Sequence, residues 1–171
     1  MSCVVISSVA NPSSKVNLLA TTIAKSLSTH VLNIAERNLP LCDGYTCYKD
    51  KDVIRLQEQI SAADSFILCS PVYCYDINAI LKNFIELCGA QLKNKVVGIA
   101  VSAGGSKSYM APMNLIQALM LDSRCYVVPR YVYAVGDDYD SEEKIFKPEL
   151  TERLDALATA VTSLSNALKT S

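Results

Sequence analysis

Three short stretches of this chain hold residue types that can handle a ligand, and each follows an apolar run. Ser70-Pro71-Val72-Tyr73-Cys74-Tyr75 follows Phe66-Ile67-Leu68-Cys69 and precedes a helix-like segment starting at Ile77. Pro71 fixes its own φ and holds Ser70 extended, which leaves Tyr73 and Tyr75 as flat walls for a planar aromatic cofactor. The stretch over 7–17 offers the hydroxyls of Ser7, Ser8, Ser13 and Ser14, the Lys15 ammonium and the N–H groups of a helix start. Such a nest suits a phosphate dianion. Its plainer reading is a helix N-cap by Ser13 or Ser14. Ser102-Ala103-Gly104-Gly105-Ser106 pairs two glycines that tolerate φ > 0 and let backbone approach the hydrogen-bonding edge of a heterocycle, although the same residues suit a simple turn. The first stretch is neither a Walker loop nor a dinucleotide-binding fingerprint, because GxxxxGK[ST] is missing and it contains no glycine.

Apolar runs alternate with helix-length segments along the chain. Strands are predicted over 3–7, 30–34, 65–70, 95–102 and 126–133, and helices over 16–28, 52–63, 77–87, 110–122 and 148–169. Several strand runs are continuous rather than alternating, as expected when helices cover both faces of a parallel sheet. Pro148 opens the last helix, whose Leu150, Leu154, Leu157, Val161, Leu164 and Leu168 form a stripe that packs on the sheet or serves a subunit interface. The alternation predicts a single domain over 1–171: a doubly wound, three-layer α/β/α fold with five parallel strands in the flavodoxin-like order 2-1-3-4-5. In that order the loops after strands one, three and four meet at the carboxyl edge of the sheet, where such folds bind ligands. The stretches 38–51 and 136–147 read as surface loops.

Composition narrows the partners. A formal net charge of -1 gives no basic excess for nucleic acid. The seven cysteines are odd in number, lack a CxxC pair and read as reduced, mostly buried thiols of a cytoplasmic protein. No signal peptide precedes the first strand, and no apolar stretch reaches the roughly 20 residues needed to cross a membrane. No Cys, His or carboxylate grouping has metal-ligand spacing, and His30, the single histidine, reads as structural or solvated. Asp76, next to the aromatic stretch, could tune a planar ring electrostatically, although capping the helix beginning at Ile77 is the plainer reading. Arg124 and Arg130 flank strand five, within reach of a nucleotide phosphate or a neighbouring subunit, although simple surface residues are the plainer reading. The acidic run over 137–143 reads as a solvated loop.

Taken together, these residues resemble the NAD(P)H-dependent FMN reductase family of flavodoxin-like proteins over nearly the whole chain. The closest likeness is to the branch that supplies reduced flavin to alkanesulfonate monooxygenases. The resemblance is carried by the serine-rich first loop, by Ser-Pro-Val-Tyr at 70–73 with Leu81-Lys82 eight residues after Tyr73, by Lys95-Val96-Val97 leading to Ser102-Ala103-Gly104-Gly105, and by Phe146-Lys147-Pro148-Glu149-Leu150. It implies that Ser8, Ser13, Ser14 and Lys15 hold the FMN phosphate. It also implies that Pro71, Val72, Tyr73, Cys74 and Tyr75 lie along the isoalloxazine ring, with Ser102, Gly104 and Gly105 at its pyrimidine edge. The implied reaction is hydride transfer from NAD(P)H to FMN with release or reoxidation of reduced flavin, and it requires no catalytic side chain. A homodimer or homotetramer and a flavin-dependent monooxygenase partner are implied as well.

Two departures stand out. The family's first loop usually reads Gly-Ser-x-Arg, whereas this chain has Ser7-Ser8-Val9-Ala10, and Asn78 stands where many members carry glycine. The missing guanidinium removes a charge-assisted phosphate contact that Lys15 replaces only as a point charge. Weak retention would suit an enzyme that releases its flavin. The alternatives are a quinone or azo reductase that keeps FMN, a flavodoxin-type electron carrier, and a scaffold that has lost flavin binding.

Overall fold

Five helices and a central parallel sheet are present in the computed structural model, which describes residues 2–142 and 145–169. In chain order the elements are β1 (Cys3–Ser7), α1 (Lys15–Ser26), β2 (Val31–Asn33), α2 (Lys51–Ser61), β3 (Ser65–Tyr73), β4 (Asp76–Ile77), α3 (Ala79–Cys88), β5 (Val96–Ser102), α4 (Met113–Leu121), β6 (Tyr126–Val127), β7 (Val132–Ala134), β8 (Tyr139–Asp140), β9 (Ile145–Phe146) and α5 (Pro148–Lys169). The sheet runs β2-β1-β3-β5-β6, with β7 pairing further along β5. Counting β6 and β7 as one interrupted strand gives the expected 2-1-3-4-5 order. β1, β2, β3, β5, β6 and β7 pair in parallel.

Each face of the sheet carries its own apolar layer. On one side α1 and α5 contribute Leu19, Ile23, Leu154 and Val161 against Val5, Ile67 and Ala100. On the other, α2, α3 and α4 contribute Leu56, Phe84 and Leu115 against Ile6, Leu68 and Val97. This two-sided burial explains the continuous apolar strands. Leu150, Leu154, Leu157 and Val161 of the final helix are buried on the sheet and Leu164 packs partly buried against them, as the stripe predicts, whereas Leu168 at its far end is exposed. Gly98 permits the close approach of that helix, because a Cβ there would lie 2.7 Å from Val161 Cγ2 and 3.1 Å from Leu157 Cδ1.

Three local expectations are corrected. The predicted strand over 126–133 is broken between β6 and β7, where Pro129 has no N–H to donate and Arg130 takes a φ of 63°. Asp76 is not the cap of α3, because the chain first turns back as β4 and pairs Val72 with Ile77 and Tyr73 with Asp76. Asn78 caps instead, its side chain accepting from Leu81 N at 3.1 Å. The stretch 136–147 is not irregular throughout, since β8 and β9 pair antiparallel within it. Met1 and two residues of the 136–147 stretch, Glu143 and Lys144, lie outside the described residues. Among the described residues no helix is long and apolar enough to cross a membrane.

Candidate functional site

The three ligand-handling stretches converge at the carboxyl edge of the sheet, and the hydrogen bonds that join them are specific. Ser8 N and Ser8 Oγ both donate to the Cys69 carbonyl at 3.2 Å, binding the first loop to the end of β3. Asn78 Nδ2 donates to the Ser8 carbonyl at 2.8 Å, and Asn78 N donates to Ser70 Oγ at 3.3 Å. Pro71 sits opposite Ser102 in the β3–β5 register, so the second and third loops leave the sheet side by side. Ala103 N donates to the Ala134 carbonyl at 2.8 Å, fastening the third loop to β7.

The first loop is braced from behind. Asn17 Nδ2 donates to the carbonyls of Val9 (3.1 Å) and Asn11 (2.6 Å), Ser7 Oγ donates to Asn17 Oδ1, and Asn33 Nδ2 adds a bond to the Val9 carbonyl at 2.9 Å. Ser14 is the N-cap of α1, accepting from Asn17 N at 3.1 Å. Ser13 is exposed, while Ser14 and Lys15 are partly exposed, all at the positive end of the α1 dipole. Ser8 is fully buried and its hydroxyl is engaged with Cys69, so it supports the loop from beneath. Lys15 Nζ lies 4.9 Å from the Tyr139 ring centroid, which brings the segment after β7 to this edge as a fourth wall.

The second loop is a tight hairpin rather than an open aromatic loop. Cys74 and Tyr75 take φ values of 51° and 62°, the left-handed pair that a two-residue turn of this hand requires. Neither is glycine, so the turn stores strain that the β3–β4 pairing must hold. Tyr73 and Tyr75 project outward, with 60% and 68% of their surface exposed. Pro71 is buried at the end of the strand and Val72 is half-buried. Behind the hairpin, between α3 and α4, lies a cavity of about 500 Å³ whose wall includes Tyr73, Cys74, Asp76 and Asn114. Asn114 Nδ2 donates to Asp76 Oδ2 at 3.0 Å across it.

The third loop differs from its expectation in one respect. Neither Gly104 nor Gly105 takes a positive φ, so the left-handed region is not why glycine stands there. A Cβ built at either position meets nothing within 4 Å, which leaves room for a ligand to rest on the backbone. Beneath them the phenol of Tyr133 donates to the Gly105 carbonyl at 2.5 Å and pairs with Ser108 Oγ at 2.8 Å. Tyr109 packs on Tyr131 and Tyr133 at ring-centroid distances of 5.1 and 5.4 Å. Burial, reinforced by the Tyr109 phenol, pushes the Tyr131 hydroxyl up to about 12. This cluster braces the third loop from beneath.

Asn17, Asn78 and Tyr133 therefore shape the site, although none was assigned such a role from the sequence. Asn17 carries a weak signal, three residues after a serine at a helix start, and Asn78 is marked by its departure from glycine. Tyr133 carries none, because its role depends on the break between β6 and β7. Arg130 lines a separate cavity of about 400 Å³ beside α5, and Arg124 is exposed. No cluster of His, Cys, Asp or Glu among the described residues could hold a metal ion.

A phosphate-bearing planar cofactor fits this arrangement. The α1 start with Ser13, Ser14 and Lys15 offers donors for the phosphate, Tyr73 to Tyr75 offer a flat wall, and the open face over Gly104 and Gly105 accepts a ring edge. Comparisons with known proteins bear on the family. Residues 1–140 match the family model described as NADPH-dependent FMN reductase. An NAD(P)H-dependent FAD/FMN reductase of Geobacillus thermodenitrificans is 27% identical over 150 residues, covering 86% of this chain and 80% of that protein. An NADPH azoreductase of Bacillus sp. is 26% identical over 138 residues, covering 80% and 78% respectively. The fold is shared with an oxidoreductase from Corynebacterium diphtheriae, with a TM-score of 0.78, 18% identity and 98% of each chain covered. The chain belongs to the NADPH-dependent FMN reductase family.

Proposed function

We propose that this protein binds FMN across the three loops at the carboxyl edge of the sheet and catalyses its reduction by NADPH or NADH. The observation that carries this reading is the open backbone surface over Gly104 and Gly105, set beside the exposed Tyr73 hairpin and the start of α1. The bound flavin supplies the two-electron redox chemistry. The chain's own part is to orient and bind. Ser13, Ser14 and Lys15 receive the phosphate at the helix start. Pro71, Val72, Tyr73, Cys74 and Tyr75 form the wall along the ring, and Ser102, Gly104 and Gly105 meet its polar edge. Ser8 holds the first loop to β3 from below.

The phosphate cradle contains one lysine and no arginine, which supports weak retention and release of the reduced flavin. We therefore assign the protein to flavin supply, of the kind that serves alkanesulfonate monooxygenases. Exposed Ile80, Met110, Met113, Met120 and Leu121 on and beside α3 and α4 support assembly with a second copy. The similarity to an azoreductase favours one rival reading, in which FMN stays bound and a second substrate is reduced.

Both readings are tested by adding NADPH anaerobically to protein mixed with FMN and then dialysing. Bleached flavin recovered outside the membrane supports release. Bleached flavin retained with the protein supports the azoreductase-like reading. Flavin that binds but is not bleached by NADPH or NADH contradicts both.

A further inference from the structure

The connection between β2 and α2, distant in function from the loops above, holds two cysteines in contact. Cys42 and Cys47 place their sulfurs 3.9 Å apart, the one thiol–thiol contact found among the described residues. The six-residue turn that joins them is organised in advance. Asp43 Oδ1 accepts from Tyr45 N (2.9 Å) and Cys47 N (3.0 Å), Asp43 Oδ2 accepts from Thr46 Oγ1, and Gly44 takes a φ of 72°. The turn is also docked on α3. Cys42 N donates to Asn83 Oδ1 at 2.8 Å, Asn83 Nδ2 donates to the Pro40 carbonyl at 3.0 Å, and Tyr48 OH donates to the Glu86 carbonyl at 3.2 Å.

The two thiols are unequal. Cys42 is half-buried and lies 3.5 Å from the Tyr48 hydroxyl, whereas Cys47 is 3% exposed. The Tyr48 hydroxyl and the Gly44 backbone N–H hold the Cys42 thiol below its ordinary range, while burial and the neighbouring Asp43 hold Cys47 above it. One sulfur is accessible, and the other is buried directly beside it. That is the arrangement of an attacking and a resolving cysteine. The other buried cysteines, Cys3, Cys69, Cys88 and Cys125, have thiols raised by burial, and none makes a thiol–thiol contact among the described residues.

We propose that Cys42 and Cys47 are a peroxide-reactive dithiol that closes to an intramolecular disulfide. The Cys42 thiolate attacks hydrogen peroxide, so that an S–O bond forms, the O–O bond breaks and hydroxide leaves. Cys47 then attacks the sulfenic acid. The S–S bond forms, the S–O bond breaks, and the departing hydroxide carries away the Cys47 proton as water. Two sulfurs lose two electrons, and one peroxide is reduced to two waters, the first hydroxide taking up the proton that Cys42 released on ionising. Hydrogen peroxide is also what reduced flavin yields when oxygen reoxidises it in solution, so the oxidant arises where this protein works. The sulfurs must close from 3.9 Å to a bond of about 2 Å.

The test uses the full-length wild-type protein treated with stoichiometric hydrogen peroxide, alkylated and digested with trypsin. Cleavage after Arg37 and Lys49 releases the peptide 38–49, which holds Cys42 and Cys47 and no other cysteine. The expected product is that peptide lighter by two hydrogens, unalkylated, and restored to two alkylation sites by dithiothreitol. In Cys47→Ser the expected product is a dimedone adduct at Cys42. Two alkylated cysteines after peroxide, a disulfide linking either cysteine to another peptide, or sulfinic acid at Cys42 without the intrapeptide bond would each overturn the proposal. The wild-type readout stands even where a variant folds poorly.

Discussion

Asn78 donates its side-chain amide to the Ser8 carbonyl at 2.8 Å, across seventy residues of sequence, while its carbonyl oxygen accepts from Leu81 N. One buried side chain thereby ties the first loop, the hairpin after β3 and the start of α3 into a single frame. A glycine at this position could neither cap nor tie.

Replacing Asn78 separates the two roles. Asn78→Ala removes both bonds and should destabilise the protein by about 2–4 kcal/mol, from a lost cap and an unsatisfied buried carbonyl. Asn78→Asp keeps the cap acceptor but cannot donate to Ser8. It should retain helix α3 by circular dichroism yet bind FMN more weakly in a fluorescence titration. Unchanged FMN affinity in both variants would show that the Ser8 link does not organise the site.

Tyr133→Phe removes one hydroxyl whose partners are Gly105 and Ser108. The loss of a hydrogen bond worth about 1 kcal/mol should loosen the third loop and raise the FMN dissociation constant about fivefold. The global melting temperature should shift little by comparison. A large melting shift with unchanged affinity would place Tyr133 in the core rather than in the site.

Gly98→Ala tests the packing of α5 on β5. A methyl 2.7 Å from Val161 Cγ2 must displace the helix, at a cost of about 1–3 kcal/mol. Thermal denaturation should show a fall of about 2–4 °C for each kcal/mol. Gly98→Ala combined with Val161→Ala should recover part of the loss.

Asp64 links the two ends of the described chain, pairing with Lys169 Nζ at 2.7 Å and accepting from Ser2 N at 2.8 Å. The Lys169 hydrogen bond, then the Ser2 N–H, holds its carboxyl below the usual aspartate range. The unfolded chain therefore binds the proton more readily, and stability falls as pH drops from the unfolded Asp64 pKa through the folded one. The pair is partly exposed, so the effect should be at most about 1 kcal/mol. Urea denaturation of Asp64→Asn should show a correspondingly flatter acid limb than wild type, and an identical limb would contradict the assignment.

The order of the sheet was legible because its strands are apolar on both faces, from Phe66 to Cys69 and from Val96 to Val101, and such runs belong between two helical layers. The regular leucines of α5 announced their own packing. What escaped was backbone geometry set by tertiary pairing. Nothing local in Cys74-Tyr75 suggests a left-handed turn, because neither residue prefers it, and only β4 pairing with β3 enforces it. The same pairing delayed the start of α3 and moved its cap from Asp76 to Asn78. At Gly104 and Gly105 the paired glycines suggested positive φ, whereas the backbone takes none and has open space above it. The Cys42–Cys47 contact was invisible because a five-residue spacing matches no familiar cysteine motif.

The most direct measurement is the rate of NADPH oxidation in air as FMN is added, in wild type and in Gly105→Val. A Cβ at Gly105 meets no protein atom within 4 Å, so the variant should fold with an unchanged melting temperature. Wild-type turnover should require both protein and FMN, and the variant should need about tenfold more FMN, or about 1.4 kcal/mol of lost binding. Turnover by flavin-free protein without added FMN, or identical FMN dependence in the two proteins, would contradict a flavin seated on these loops.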